Sequence, residues 1–174
     1  PLRLVGSEMC IRDRVDTALG TADLRQPGPV WIELFDGAKS SIDIGQFYAA
    51  DHPGSVMDKV IEHLEAAGKR GVKIRFLLEE KGIRLSEAST LERLRAIPNL
   101  SFRVLAYGQL SGGIIHAKYM VVDGKQAFVG SQNFDWRSLE HIHETGLRIS
   151  DASVVSQVQA CLLYTSPSPR DVEE

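Results

Sequence analysis

Cysteine is scarce in this sequence of 174 residues, and the two that are present, Cys10 and Cys161, lie near opposite ends. The long stretch between them therefore has no disulfide, no zinc-thiolate site and no cysteine nucleophile. Hydrophobic runs are short, and none approaches the roughly 20 apolar residues that a membrane-spanning helix needs. An excess of positive charge is also missing, since 20 Lys and Arg face 23 Asp and Glu. The chain therefore lacks the basic stripe that marks a dedicated duplex-DNA-binding protein.

The two ends of the chain are related by an inverted repeat at the nucleotide level. Residues 9–14 can be encoded by ATG TGT ATA AGA GAC AG, whose reverse complement in a shifted frame encodes Cys-Leu-Leu-Tyr-Thr, the residues from Cys161 onward. Extending the repeat upstream yields Ser-Pro-Ser-Pro-Arg, which matches residues 166–170. We therefore expect residues 1–14 and 161–174 to be adapter-derived, non-native segments that make few contacts with the domain. Such segments are excluded from fold prediction.

The part between these segments, residues 15–160, has the length of one domain. Its 146 residues carry 16 Lys and Arg against 18 Asp and Glu, a net charge of −2. Apolar side chains at helical spacing predict helices over residues 29–40, 55–71, 86–97 and 151–160. Alternating, β-rich stretches predict strands over residues 41–49, 72–79, 100–107 and 145–150. Because strands alternate with helices, we expect an α/β sandwich with a mixed, largely parallel central sheet flanked by helices.

A further hairpin is predicted over residues 116–136, HAKYMVVDGKQAFVGSQNFDW. Its first strand is apolar apart from His116 and Lys118, which share one face because alternate side chains of a strand do so. With both faces largely apolar, the strand is expected at the centre of the sheet. A lysine in that position needs an anionic partner or a water-filled cleft.

The turn of this hairpin predicts which side chains face His116. Asp123 and Gly124 form a strong two-residue turn signal, and a loop of either two or four residues would place Ser131 and Asn133 on the face of His116. An imidazole, an ammonium, a hydroxyl and a carboxamide would then meet at one end of the sheet. Such a set can hold a tetrahedral oxyanion, with the imidazole as nucleophile or proton carrier.

The spacing H-x-K-x4-D-x6-G-S-x-N, which begins at His116, resembles the HKD signature of the phospholipase D superfamily. The continuation DWRSLEHIHETG, residues 135–146, is most similar to the branch of lysosomal exonuclease-phospholipases and their bacterial relatives. The order of elements before the motif is similar as well. The resemblance therefore covers residues 15–160 and implies one module of that fold.

The resemblance also implies roles for individual side chains. His116 would be the nucleophile that forms a covalent phosphohistidine, or the general acid that faces one. Lys118, Ser131 and Asn133 would bind the substrate phosphate. Glu144 matches the family's later acid, which orients a histidine through its second ring nitrogen. Catalysis in this family needs no metal, so the resemblance implies no cofactor.

Other polar and aromatic residues near the motif have weaker signals. Asp123 matches the motif aspartate and is grouped with the catalytic residues, although we interpret it as a scaffold for the loop rather than a proton carrier. His141 and His143 lack an evident third ligand, so we predict no metal site. Trp136 and Arg137 either line the substrate cleft or pack the turn after the motif.

Three functions fit these observations. The first is a phosphodiester hydrolase or transphosphatidylase in which this chain is half of a two-module enzyme, with phospholipid as the leading substrate class and nucleic acid as the other. Family active sites need two HKD motifs, because one histidine attacks and the other protonates the leaving oxygen. The second is a single-motif nuclease completed by a homodimer mate. The third is a catalytically silent scaffold, which the intact motif disfavours. This fragment alone is expected to be inactive as a monomer.

Overall fold

Helices and strands alternate along the chain in the order that the hydrophobic patterns predict. The computed structural model describes residues 7–12 and 24–165. The strands are β1 (Ser7–Arg12), β2 (Ser41–Gln46), β3 (Ala49–Ala50), β4 (Lys73–Glu79), β5 (Leu100–Leu105), β6 (Lys118–Val122), β7 (Gln126–Gly130), β8 (Phe134–Asp135) and β9 (Glu144–Ile149). The helices are α1 (Pro27–Gly37), α2 (Val56–Lys69), α3 (Ala88–Arg95), α4 (Tyr107–Ser111), α5 (Trp136–Glu140) and α6 (Ala152–Thr165), and a 3-10 helix spans Glu80–Leu85.

The main sheet of the described residues has the strand order β1-β9-β7-β6-β2-β4-β5, and β3 pairs with β8 in a separate small sheet. β2, β4 and β5 are parallel to one another, whereas β6, β7, β9 and β1 are joined by antiparallel pairing. The predicted α/β fold with a mixed sheet and flanking helices is confirmed. The parallel share is smaller than predicted. The tight connection between β6 and β7 permits only antiparallel pairing, and the β2–β6 and β7–β9 pairs are antiparallel as well.

Alternation along the central strands separates two apolar layers. The larger layer packs α1 and α2 against one face of the sheet, and its biggest buried side chains include Trp31, Phe35, Phe76 and Phe128. On the opposite face, Val121 and Ala127 pack against Val155 of α6. β6 is therefore covered on both faces, as its apolar sequence predicts.

Hydrogen bonds at two helix starts show how local sequence fixes the elements. Asp151 caps α6, since its Oδ1 accepts the N–H groups of Ser153 and Val154 at 3.0 Å each. Before α3, the Ser86 hydroxyl accepts the N–H of Ala49 at 3.1 Å and so ties the segment that precedes this helix to β3. None of the helices described is long and apolar enough to cross a membrane.

The N-terminal segment does not behave as expected. Ser7–Arg12 pairs antiparallel with β9 over its whole length, from Ser7 opposite Ile149 to Arg12 opposite Glu144. The expectation of few contacts is therefore wrong for this stretch, and α6 also continues past residue 160 to Thr165. The rest of the two terminal segments lies outside the described residues. Their adapter origin rests on the nucleotide repeat and stays a prediction.

Candidate active site

The side chain of Lys118, at the start of β6, reaches the ring of His116. Its Nζ lies 3.0 Å from Nδ1 and 3.1 Å from Nε2 of the imidazole. Burial lowers the pKa of Lys118 to about 8, while the charge of Glu144 acts in the opposite direction. Burial and the neighbouring Lys118 both lower the pKa of His116 below its usual value. The imidazole is therefore neutral, and nucleophilic, at neutral pH.

The aromatic ring of Phe47 packs against the imidazole of His116. The ring of Phe47 lies 4.7 Å from the ring of His116, at 61°, and 5.6 Å from Lys118 Nζ. Gly82 of the 3-10 helix packs closely against the backbone of Phe47, since a Cβ at Gly82 would lie 1.7 Å from the carbonyl oxygen of Phe47. Only glycine allows that approach. Phe47 was not among the predicted site residues, since nothing in the sequence marks it except its position just after a buried strand.

A buried carboxylate holds the backbone immediately before His116. Glu79, at the end of β4, is 2% exposed and accepts the N–H of Ile115 at 3.0 Å. Next to it, Lys81 Nζ donates to the carbonyl oxygen of Gly113 at 2.8 Å. The loop that delivers His116 to the site is thus held at two points by residues from another part of the sheet. Glu79 was not among the predicted site residues, because in the sequence it is simply the last residue of an ordinary strand.

The hairpin that carries the motif has a three-residue loop, where a loop of two or four residues was predicted. Asp123 and Gly124 adopt the positive φ angles, 55° and 62°, that the sequence signal implies. Val122 pairs with Gln126, however, so Lys125 is an extra loop residue. The loop has three residues and not two or four.

This extra residue overturns the predicted register. Tyr119 pairs with Val129, so strand alternation alone would place Ser131 on the face of Tyr119, opposite His116. The prediction that register puts Ser131 and Asn133 on the face of His116 is therefore wrong. β7 ends one residue before Ser131, and contacts made beyond the strand determine where these two side chains lie.

Ser131 contacts the acidic residue predicted for the site. Its Oγ donates to the carboxylate of Glu144 and accepts the N–H of Thr145 at 3.1 Å. Since the charge of Glu144 acts on Lys118, the hydroxyl is linked through this carboxylate to the His116–Lys118 pair. Glu144 was expected to bond a histidine ring, but within the described residues its hydrogen bond comes from Ser131.

A glutamine from β2 brings the Asn133 segment to the same end of the sheet. Gln46 is 2% exposed and lies opposite Lys118 in the β2–β6 pairing. Its Oε1 accepts the N–H of Phe134 at 3.1 Å, which fixes the residue next to Asn133 beside the start of β6. Asn133 Oδ1 is buried and has no hydrogen-bond partner in the described part of the chain. Its carboxamide thus has bonding capacity left for a ligand.

Asp123 lies outside this site. Its carboxylate accepts the N–H groups of Lys39 at 2.9 Å, Ser40 at 2.7 Å and Ser41 at 2.9 Å, together with the Ser40 hydroxyl at 2.8 Å. Burial raises the pKa of Asp123, but these donors lower it to about 2. Because Asp123 follows the far end of β6 from His116, its grouping with the catalytic residues is wrong, and its contacts are those of a loop scaffold.

The residues after the motif form a polar and aromatic cluster at the surface. Asp135, fully buried, accepts a hydrogen bond from the Tyr48 hydroxyl at 2.8 Å and from Arg137 Nε at 3.1 Å. Burial, reinforced by the charge of Asp135, raises the pKa of Tyr48 to about 12. Trp136 is half-buried against the larger apolar layer. Trp136 and Arg137 therefore pack the turn after the motif, which is one of the two predicted roles. Both side chains also reach the surface.

Comparison with protein families gives one match over most of the chain. A family model described as "Cardiolipin synthase, PLD-like domain" matches residues 31–163. Phospholipase D Z from Dictyostelium discoideum is 30% identical over 166 residues, which cover 89% of this chain and 39% of that protein. The 5'-3' exonuclease PLD3 from Xenopus laevis is 32% identical over 141 residues, which cover 73% of this chain and 27% of that protein. The chain thus spans well under half of these relatives.

A solved structure shares the fold at nearly full length. Nuc from Salmonella typhimurium, described as a phospholipase D family member, superposes with a TM-score of 0.68 at 20% sequence identity. The superposition covers 92% of this chain and 93% of that chain. The chain therefore shares the fold of that protein over most of its length.

Proposed function

The chain belongs to the phospholipase D superfamily, whose members are phosphodiesterases, and from that premise we propose that His116 is the attacking histidine of one phosphodiesterase half-site. The observation that carries the proposal is the contact between His116 and Lys118, with the ammonium 3.0 Å from the ring. A buried ammonium beside a neutral imidazole binds an anion and presents a nucleophile to it.

The proposed reaction has two steps. A ring nitrogen of His116 attacks phosphorus and forms an N–P bond, while the bond to the leaving oxygen breaks. That oxygen takes a proton from a second histidine, which then accepts a proton from the water that cleaves the phosphohistidine. Lys118 offsets the phosphate charge, the side-chain NH₂ of Asn133 donates to a phosphate oxygen, and Ser131 donates to another when its hydroxyl turns from Glu144 to the substrate. Glu144 orients Ser131 and keeps Lys118 protonated.

The second histidine must come from another module. We propose that residues 15–160 are one module of a two-module chain, because the curated relatives are more than twice as long as the matched region. A homodimer is the second candidate, since Nuc is a chain of about this length with the same fold. In both arrangements two half-sites face each other across a two-fold or pseudo-two-fold axis.

The substrate is a phosphodiester of either phospholipid or nucleic acid. Phospholipid is the leading substrate class predicted from the sequence, and one similar protein is named a phospholipase D. Another is named a 5'-3' exonuclease, so nucleic acid has support of the same kind. The half-site chemistry is common to both substrates, because His116 and Lys118 contact only the phosphate.

Steady-state hydrolysis of a chromogenic phosphodiester tests this proposal. The second histidine must accept a proton from the water that cleaves the phosphohistidine, and such general base help is worth about 10² to 10⁴-fold. The monomer should therefore show little or no turnover. Any activity should rise with protein concentration as dimers form, and His116→Ala should abolish it. His63→Ala is the matched control, because His63 is an exposed histidine on α2 bonded to Asp36. Turnover by a demonstrated monomer that does not depend on concentration would contradict the two-motif account.

A further inference from the structure

Trp136 lies between two exposed imidazoles at the surface of the domain. The ring of His52 is 5.4 Å away at 48°, and the ring of His141 is 5.2 Å away at 87°. Both histidines are exposed, and His52 is oriented by a contact of 3.0 Å between its Nδ1 and the carbonyl oxygen of Pro53. The three rings form one aromatic surface, here called the ring strip.

Parallel pairing of β3 with β8 explains why these rings meet. Ala50 lies opposite Asp135, so the residues that follow the two strands leave the small sheet side by side. His52 comes from the first of these exits and Trp136 from the second. Paired backbone therefore brings His52 and Trp136 together, and His141 follows at the end of α5, where its N–H donates to the carbonyl oxygen of Arg137.

The ring strip is adjacent to the half-site. Trp136 follows Asn133 by three residues, so their Cα atoms are at most about 11 Å apart. Phe47 touches His116, and the next residue, Tyr48, donates to Asp135 directly before Trp136. A polymer whose scissile phosphate lies at the half-site can therefore extend its neighbouring units toward the strip.

The chemistry of the strip selects among possible ligands. Arg137 is 45% exposed at its side chain, and its guanidinium lies 5.6 Å from the Trp136 ring. Aromatic rings beside an exposed cation are the surface on which single-stranded nucleic acid binds, since bases stack on rings and phosphates pair with arginine. An acyl chain would instead need a continuous apolar surface, which exposed imidazoles and a guanidinium interrupt.

We propose that His52, Trp136 and His141, with Arg137 at the edge, form a base-stacking subsite for single-stranded nucleic acid next to the phosphodiesterase half-site. This rests on the proposed function for the location of the scissile phosphate. The subsite would make single-stranded nucleic acid, and not phospholipid, the substrate of the domain.

Binding of matched ligands tests the subsite without requiring turnover. Fluorescence anisotropy would compare labelled oligothymidylate with an abasic oligomer of the same length, both at one salt concentration, in the His116→Ala background. Because stacking is worth roughly 1–3 kcal/mol per base, oligothymidylate should bind about five- to a hundredfold more tightly. Trp136→Leu, which keeps an apolar side chain against the core, and the double variant His52→Ala/His141→Ala should both lose this preference. His63→Ala should keep it.

Equal affinity for the two oligomers, or a preference that survives in both variants, would overturn the subsite. Association with anionic phospholipid vesicles that depends on Trp136, in a protein that shows no preference for bases, would assign the strip to lipid instead. Failure of His116 as a nucleophile would leave the base preference intact. The two proposals can therefore fail separately.

Discussion

The backbone N–H of Ile115 donates to the buried carboxylate of Glu79 at 3.0 Å, and this bond holds the residue directly before His116. We predict that Glu79→Ala slows attack by His116 about 10- to 100-fold, because a shift near 1 Å in a reacting group costs up to about 10² in rate. Glu79→Gln keeps an acceptor for the N–H and should retain most of the rate. Single-turnover release of a chromogenic leaving group measures the attack step.

A structural loss at Glu79 would look different from a positioning effect. Thermal unfolding of both variants separates them, since misplacement lowers the rate in protein that remains fully folded. If Glu79→Gln is as slow as Glu79→Ala at equal stability, the negative charge and not the hydrogen bond is what matters. An unchanged rate in Glu79→Ala would contradict the positioning role.

Lys118 is expected to lower the free energy of unfolding, although its charge is needed to bind phosphate. The residue is 7% exposed, and burial lowers its pKa to about 8, so keeping the charge in this environment is unfavourable. Replacement by a hydrophobic side chain of similar length removes that cost, and Lys118→Met should leave the free energy of unfolding at pH 7 unchanged or raise it by about 1–3 kcal/mol. The same variant should lose phosphate binding and activity. Urea denaturation checks the first claim, and a loss of more than about 1 kcal/mol would contradict it.

Activity should follow a bell-shaped dependence on pH. The pKa of His116 is lowered from 6.5 by burial and by Lys118, so the imidazole stays neutral until the pH falls below that value, and the acid limb should lie under pH 6.5. On the alkaline side, Lys118 loses its proton near pH 8, which weakens phosphate binding and should raise KM. Profiles of kcat/KM for parent and Lys118→Arg provide the measurement with bis(4-nitrophenyl) phosphate, whose leaving group needs no proton from the second histidine. Arginine keeps its charge and should remove the alkaline limb. An acid limb at or above pH 7 would contradict the assignment.

Asp123 should matter for stability and not for the chemical step. Asp123→Ala removes the acceptor of three backbone N–H groups on a largely exposed segment, and a typical hydrogen bond contributes about 0.5–1.5 kcal/mol net. Because the pKa of Asp123 is lowered from 3.8 to about 2, its contribution is present above about pH 4 and is lost as the pH falls toward 2. Urea denaturation at pH 7 and pH 3 should show a smaller pH effect in Asp123→Ala. A large drop in the single-turnover rate of the folded variant would contradict the scaffold role.

The parts of the fold that depend on local pattern could be predicted from the sequence. The apolar spacing of residues 56–69 matches α2, and the alternation of residues 73–79 matches β4. The spacing of His116 and Lys118, two positions apart, predicted that these side chains lie together. Sheet direction was harder, since it depends on how long each connection is and not on the strand itself.

The contacts that complete the site are not local. One additional loop residue, Lys125, changes the hairpin register, and no sequence signal distinguishes a loop of three residues from one of two after Asp123-Gly124. Gln46 and Glu79 act through hydrogen bonds to residues 88 and 36 positions away. Such bonds between distant segments have no periodicity, so only the folded structure identifies them.

Attack of His116 on phosphorus leaves a covalent phosphohistidine, and trapping this intermediate tests the proposed role of His116. Bis(4-nitrophenyl) phosphate has a leaving group that departs without a proton, so the first step needs only the neutral imidazole. Rapid mixing should release one nitrophenolate per chain, and peptide mass spectrometry of the quenched protein should find the phosphoryl group on His116, absent in His116→Ala and present in His63→Ala. Release of nitrophenolate with no modified histidine, or with the label on another residue, would contradict the account.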